Sequence, residues 1–211
     1  MKPIQPSLKF SFILCLFTMS GCATLSESQC KAQDWTTIGQ YDAQSGYPAL
    51  RMADHQNACD DYGITVDPAQ YQTGYTVGLQ NYCTAENGWS EGSKGNNYRG
   101  ICPAESRFLS TYNPAKRLHD AQRKVTDLKQ SLERLENQRD KLRRESRRLT
   151  LLIQQGKLPI EQLESLAKAR NHTNQQLRDV HRERNATRRE LDLAISALAA
   201  ISVSTATILR H

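Results

Sequence analysis

What this 211-residue chain has little of narrows its function first. It has no Cys-x-x-Cys or His-x-x-x-His pair, so nothing stands at the spacing of a zinc site. It has no Lys-Ser/Thr phosphate loop and no strand–helix context for a dinucleotide fingerprint. Its five histidines are scattered. From residue 113 to 190 there is no aromatic residue, no cysteine and one glycine. Such a stretch has neither the rings of a compact core nor the turns of a sheet protein. No catalytic residue, metal or cofactor is read from the chain.

What is present begins with Lys2 and Lys9, followed by an uncharged apolar run from Phe10 to Met19. The run has the length of a secretion signal and falls short of the ~20 apolar residues that span a bilayer. Ser20 and Gly21 are small, and Cys22 follows them. Met19-Ser20-Gly21-Cys22 resembles the lipobox of bacterial lipoproteins. The resemblance implies that residues 1–21 are removed and that Cys22 carries the acyl chains. Ala23 follows the cysteine where Asp would suggest inner-membrane retention. Localisation is therefore expected at the periplasmic face of the outer membrane, with the membrane engaged through the N-terminal lipid. Two or more acyl chains anchor stably, at about 0.8 kcal/mol per buried methylene.

That compartment is oxidising, which bears on the remaining cysteines. Cys15 leaves with the signal, so Cys30, Cys59, Cys83 and Cys102 are left to pair. Residues 48–62 and 68–83 read as two antiparallel helices joined at Gly63-Asp67-Pro68. Cys59 lies near that turn, and Cys83 lies a helix length away. A disulfide needs α-carbons within about 7 Å, so Cys59–Cys83 is disfavoured. The expected bonds are Cys30–Cys59 and Cys83–Cys102. Residues 22–33 read as a lipidated tether and residues 34–112 as a disulfide-linked, aromatic-rich helical domain. Gly88 to Gly100 reads as a glycine-rich surface loop, with Trp89 and Tyr98 as candidate rings for stacking on a sugar.

A series of motifs runs through the same region. Trp35-x-x-Ile38-Gly39-x-x-Asp42 is followed by His55-x-x-x-Cys59 and by Tyr71-x-x-Gly74-x-x-x-Gly78-Leu79-x-x-Tyr82-Cys83. Then comes Gly88-x-x-x-Gly92-x-x-Gly95-x-x-Tyr98-x-x-Ile101-Cys102-Pro103. Over about residues 30–112 this series resembles a group of proteobacterial lipoproteins, domain-of-unknown-function family 2799. Ala43 and Tyr75 stand where that family often has Gly and Arg. The resemblance implies an envelope lipoprotein and supplies no activity.

Composition changes at Asn113-Pro114. Residues 22–112 hold five Lys/Arg against ten Asp/Glu, whereas residues 113–190 hold twenty against eleven. Leu118, Val125, Leu132 and Ile153 share one heptad position, and Ala121, Leu128, Leu135, Leu142 and Leu149 share the position three later. Arg139 and Ser146 interrupt this repeat, whose period is that of a coiled coil. Gly156 and Pro159 break the helix, and Leu163, Leu166, Leu177, Val180, Leu191, Ala194, Leu198 and Ile201 resume the pattern, interrupted by Arg170, Thr173, Arg184 and Thr187. Residues 113–200 thus read as a basic antiparallel coiled-coil hairpin, and residues 201–211 as an apolar tail. The expected fold class is mostly α.

The hairpin's polar layers leave its seam thin, so a homo-oligomer or a helical envelope partner is expected to cover it. Arg143, Arg144, Arg147 and Arg148 form a basic surface suited to anionic lipid or lipopolysaccharide. Nucleic acid does not fit the compartment. Asp60-Asp61, or Glu86 with Glu91, are the candidate carboxylate pairs for glycan hydrolysis. The function expected is a non-catalytic interaction or scaffold role in the envelope. A peptidoglycan or other envelope-glycan binding module is the alternative, and a glycan hydrolase the third.

Overall fold

The computed structural model describes residues 24–208, so the lipobox and Cys22 lie outside the described residues. Every regular element among those described is helical. In order they are α1 (Glu27–Ala32), α2 (Trp35–Gln44), α3 (Arg51–Asp60), α4 (Pro68–Tyr82), α5 (Ala85–Ser93), α6 (Phe108–Gln155) and α7 (Ile160–Ile208).

Local chemistry sets the helix starts. The Asp34 carboxylate accepts from the Thr37 amide at the head of α2. Asp67 accepts from Ala69 and Gln70, with Pro68 in the first turn of α4. Thr84 caps α5 through the Asn87 amide. Each cap satisfies an amide that has no partner inside its own helix.

Glycine decides which helices pair. Gly39 on α2 and Gly74 and Gly78 on α4 bring two backbones together. A Cβ on Gly74 would overlap the Thr36 carbonyl, and one on Gly39 would overlap that of Tyr71. The device recurs on α5 and α6, where Gly88 meets the Phe108 carbonyl and Gly92 that of Tyr112. The head is therefore two glycine-packed helix pairs, α2/α4 and α5/α6. Cys30–Cys59, with α-carbons 5.6 Å apart, pins α1 to α3 beside the first pair, and Cys83–Cys102, at 5.5 Å, ties the end of α4 to the segment before α6.

The structure departs from the sequence expectation in three places. α4 does not pair with α3 as a hairpin; its partner is α2, because only α2 offers a glycine to the Gly74/Gly78 face. Cys30–Cys59 instead joins α3 to α1, so the segment expected as a tether holds a short helix with Leu25 and Cys30 buried. The glycine-rich stretch is not a loop before Lys94. It is α5 as far as Ser93, because its glycines serve contact with α6 rather than a turn.

Aromatic residues fill what the glycines leave. Trp35, Tyr71 and Tyr75 bury with both cysteines of the first bond. Tyr82, Phe108 and Tyr112 form the second core, with Tyr82 stacked on Phe108 at 5.2 Å. The Tyr47 ring meets Arg51 at 3.7 Å and Arg99 at 4.3 Å, which links the two pairs. Cation–π contacts of this kind contribute about 0.5–1 kcal/mol each.

α6 starts in the second core and continues into the hairpin, so the compositional break at residue 113 falls inside one helix. At a rise of about 1.5 Å per residue, it is about 70 Å long. Gly156 ends it in the left-handed conformation, at φ 63°. α7 then returns antiparallel and continues through residues 201–208, the first part of the expected tail. Val125, Leu128 and Leu132 pack against Leu191, Ala194 and Leu198. The interruptions are real polar layers: Ser146 donates to Asn174 across the seam at 2.6 Å. The Arg184 Nε is buried without a partner.

The glycine contacts give a direct test. Gly74→Ala should destabilise the head by at least the roughly 1–3 kcal/mol typical of an overpacked site, because the obstacle is backbone. Gly63 has a left-handed φ and open space around it. Gly63→Ala should therefore cost only about 1 kcal/mol of backbone strain. Urea denaturation of the two variants checks the order, and a Gly74→Ala chain as stable as wild type would contradict the packing.

Candidate functional site

The one buried ionic cluster among the described residues lies beside the first helix pair. Asp42 sits near the end of α2, one residue before Ala43, whose small side chain packs at Gly78. Position 42 is thereby turned away from the glycine face of α4 and toward α3. The residue is 2 % exposed and His55 1 %. Burying a lone carboxylate costs several kcal/mol, so its partners define the site.

Those partners come from separate elements. His55 Nε2, from α3, lies 2.6 Å from Asp42 Oδ2. The Tyr71 hydroxyl, from α4, donates to the same oxygen at 2.8 Å. Arg51 Nε, from the first turn of α3, forms an ion pair with Oδ1 at 3.2 Å, without an N–H aimed at the oxygen. An ionised Asp42 only accepts, so the imidazole proton belongs on Nε2. Nδ1 lies 2.8 Å from the Thr24 hydroxyl, within hydrogen-bond distance. Thr24 is the first residue described, two places after Cys22. A cavity of about 280 Å³ opens beside the cluster, walled by Leu25, Ile38 and Tyr41 and reaching Thr24, Arg51 and His55.

Hydroxyl, imidazole and carboxylate stand in the order of a nucleophile triad. Asp42 is also engaged on both oxygens by three partners, one of them a tyrosine. The arrangement therefore ties α2, α3, α4 and the N-terminal segment to a single carboxylate. Burial, together with the Asp42 hydrogen bond and charge, pushes the Tyr71 phenol well above its ordinary value. Burial raises Tyr82 to about 12.

The residues marked by sequence fall elsewhere. Tyr98 is not an open stacking ring. It packs against Phe108 at 5.0 Å and Tyr112 at 5.7 Å, and its hydroxyl accepts from the Cys102 amide at 2.6 Å. The Cys83–Cys102 bond and Phe108 hold that ring inward. Trp89 is half-buried on α5. Asp60, Asp61 and Glu86 are exposed, and Glu91 accepts from Asn96 at 2.8 Å, so neither carboxylate pair faces the cavity. Gly88-Trp89-Ser90-Glu91-Gly92, unmarked in the sequence reading, has the spacing of a nucleophile elbow, but it lies within α5 rather than at a strand-to-helix turn. Arg143, Arg144, Arg147 and Arg148 are all exposed near the hairpin tip. Three of them, Arg144, Arg147 and Arg148, line one groove with Leu151 and Leu152, and Arg148 pairs with Glu145 at 3.5 Å. No group of three or more His, Cys, Asp or Glu among the described residues could hold a metal.

Asp42, His55 and Tyr71 all stand in the sequence motifs, yet nothing in the sequence joins them. Arg51 and Thr24 carry no signal of their own. The usable clue is that polar residues recur beside glycines on helices otherwise short of charge.

Tyr71→Phe should cost about 1–3 kcal/mol through the hydrogen bond lost at a buried acceptor. His55→Ala should cost more, about 3–5 kcal/mol, because it uncovers a buried charge. The raised phenols ionise less readily folded than unfolded. Their contribution is therefore full below about pH 10, the unfolded tyrosine value, and is lost as pH rises from there through the folded values. Urea titrations on both sides of that ~10 value should show stability falling at the alkaline end, less steeply in Tyr71→Phe. Equal slopes would mean that Tyr71 does not contribute.

No curated protein and no solved structure matches the chain. Residues 34–117 match the model of a family described as "Protein of unknown function (DUF2799)". The match runs from the cap of α2 through the first turns of α6. It takes in both glycine-packed pairs, the Asp42 cluster apart from Thr24, and Cys59, Cys83 and Cys102. Over that segment the chain is similar to that family, as its motifs indicate.

Proposed function

We propose that this chain is a lipid-anchored protein of the bacterial envelope. Cys22 holds it on the periplasmic face of the outer membrane, and the disulfide-bonded head carries a basic arm that engages another envelope component without catalysis. The carrying observation is that α6 belongs to both parts. It is clamped by glycine contacts in the head, shortly after the Cys83–Cys102 bond, then extends as half of the hairpin. A helix shared in this way transmits position from anchor to arm.

Three further features support the reading. Both disulfides suit an oxidising compartment. Thr24 is bonded into the Asp42 cluster, so a lipid at Cys22 is coupled to the head within a very short span. The arm has partly polar layers and exposed Leu151 and Ile160 near its tip, which a helical partner or a second copy would cover. Basic residues around the same tip suit an anionic envelope partner.

The test has two arms in living cells. Wild type should incorporate labelled palmitate and fractionate with the outer membrane, while Cys22→Ser should do neither. A photo-cross-linker at Leu151 should capture a discrete partner or a second copy, whereas one at exposed Leu50 in the head should not. Labelling of Cys22→Ser would end the anchoring claim, and absence of any Leu151 adduct would end the claim for the arm.

A further inference from the structure

The face of α7 that points away from α6 changes character along its length. Arg182, Arg189, Leu193, Ala197, Ala200 and Ser204 follow one another at helical spacings, so they share one stripe. Arg182 on this stripe pairs with Asp179, Arg189 follows it, and the chain carries no charge from Leu193 to Leu209. Apolar residues on it and beside it are open: Leu193 is 72 % exposed and Val203 69 %. In the most apolar 18-residue window of α7 only 17 % is buried.

The hydroxyls on this stretch make little demand on solvent. Ser196 donates to the Asp192 carbonyl at 3.0 Å, Ser202 to that of Leu198 at 2.8 Å and Thr207 to that of Val203 at 3.1 Å. The opposite face is committed, since Leu191, Ala194 and Leu198 pack on α6. A helix with one face fixed to protein and the other uncharged does not cross a bilayer alone, but it can lie in the interface. Interfacial helices bury an apolar face about 5–10 Å deep and carry Lys/Arg toward the head groups.

Position selects the occupant. Because α7 runs antiparallel to α6 and Leu191, Ala194 and Leu198 pack on Val125, Leu128 and Leu132, its last turns come back beside the first turns of α6, the end of the arm that joins the head. We propose that the C-terminal turns of α7, from Leu193 to Thr207, form a second membrane contact. They dip into the acyl region of the bilayer that receives the Cys22 lipid, with Arg189 against anionic phosphates. This inference rests on the lipid-anchoring reading above. Two contacts at one end fix how the arm leaves the surface, whereas one acyl anchor leaves it free to rotate.

The experiment uses the full lipidated chain in vesicles of phosphatidylethanolamine and phosphatidylglycerol, with some acyl chains brominated. Leu193→Trp and Val203→Trp place a fluorophore on this face, and Leu151→Trp places one at the tip. Native Trp35 is buried and Trp89 half-buried, so their signal is subtracted using the unsubstituted chain. Emission from the Leu193→Trp and Val203→Trp chains should be lost to the bromines, and that from Leu151→Trp should not. Flotation of the unsubstituted chain reports anchoring separately, so a chain that does not float defeats the anchor. A chain that floats while Val203→Trp stays unquenched overturns the α7 contact. Blue-shifted but unquenched emission from Val203→Trp would likewise overturn it, by showing that another protein surface or a second copy covers the face.

Discussion

Everything in the head depends on how closely helix backbones can approach where side chains are missing. Gly39, Gly74 and Gly78 set the α2/α4 distance, and Gly88 and Gly92 repeat the device at α5/α6. At that range Cα–H groups meet carbonyls, worth about 0.5–1 kcal/mol each, and no larger residue fits. The cost is that a mid-helix glycine weakens its helix by about 1 kcal/mol relative to alanine. The disulfides offset this by constraining the unfolded chain, at roughly 3 kcal/mol for loops of such size. Aromatic rings then fill the space around the contacts, which is why they are concentrated before residue 113.

The polar cluster follows from the same geometry. Close pairing of α2 and α4 places Asp42 and Tyr71 together, and Cys30–Cys59 holds α3 so that His55 and Arg51 reach them. A buried carboxylate with partners on several elements is a constraint on register more than a source of net stability. Here it fixes the entry of the chain through Thr24. The arm has no such cross-links. Its seam is narrow, includes Thr173 and the Ser146–Asn174 layer, and leaves large apolar residues exposed at its tip and along the end of α7. The molecule therefore divides into a part specified from within and a part whose surface asks for a neighbour.

Periodicity over 113–200 reveals the hairpin, because a long heptad repeat with a Gly–Pro break has few other solutions. Helix geometry leads to the cysteine pairs that the structure joins, although the premise that α3 pairs with α4 is wrong. What the residues hide is the use of glycine. Gly88 and Gly92 look the same in a turn as in a helix contact, and only α6, farther along the chain, distinguishes them. Tyr98 is unreadable for a related reason: the Cys83–Cys102 bond and Phe108 turn it inward. Single bonds of the Asp42 cluster span up to 31 positions, and no local pattern encodes such contacts.

The central claim is that head and arm are one continuous body through α6, rigid where glycine clamps it and weakly held beyond. Native-state hydrogen exchange measures this directly, since it reports opening free energy amide by amide. Amides of α6 from Tyr112 to Ala121 should share the protection of α4 and α5, and protection should fall steadily toward Gly156. Fast exchange of α6 throughout, or equal protection from Tyr112 to the hairpin tip, would contradict it.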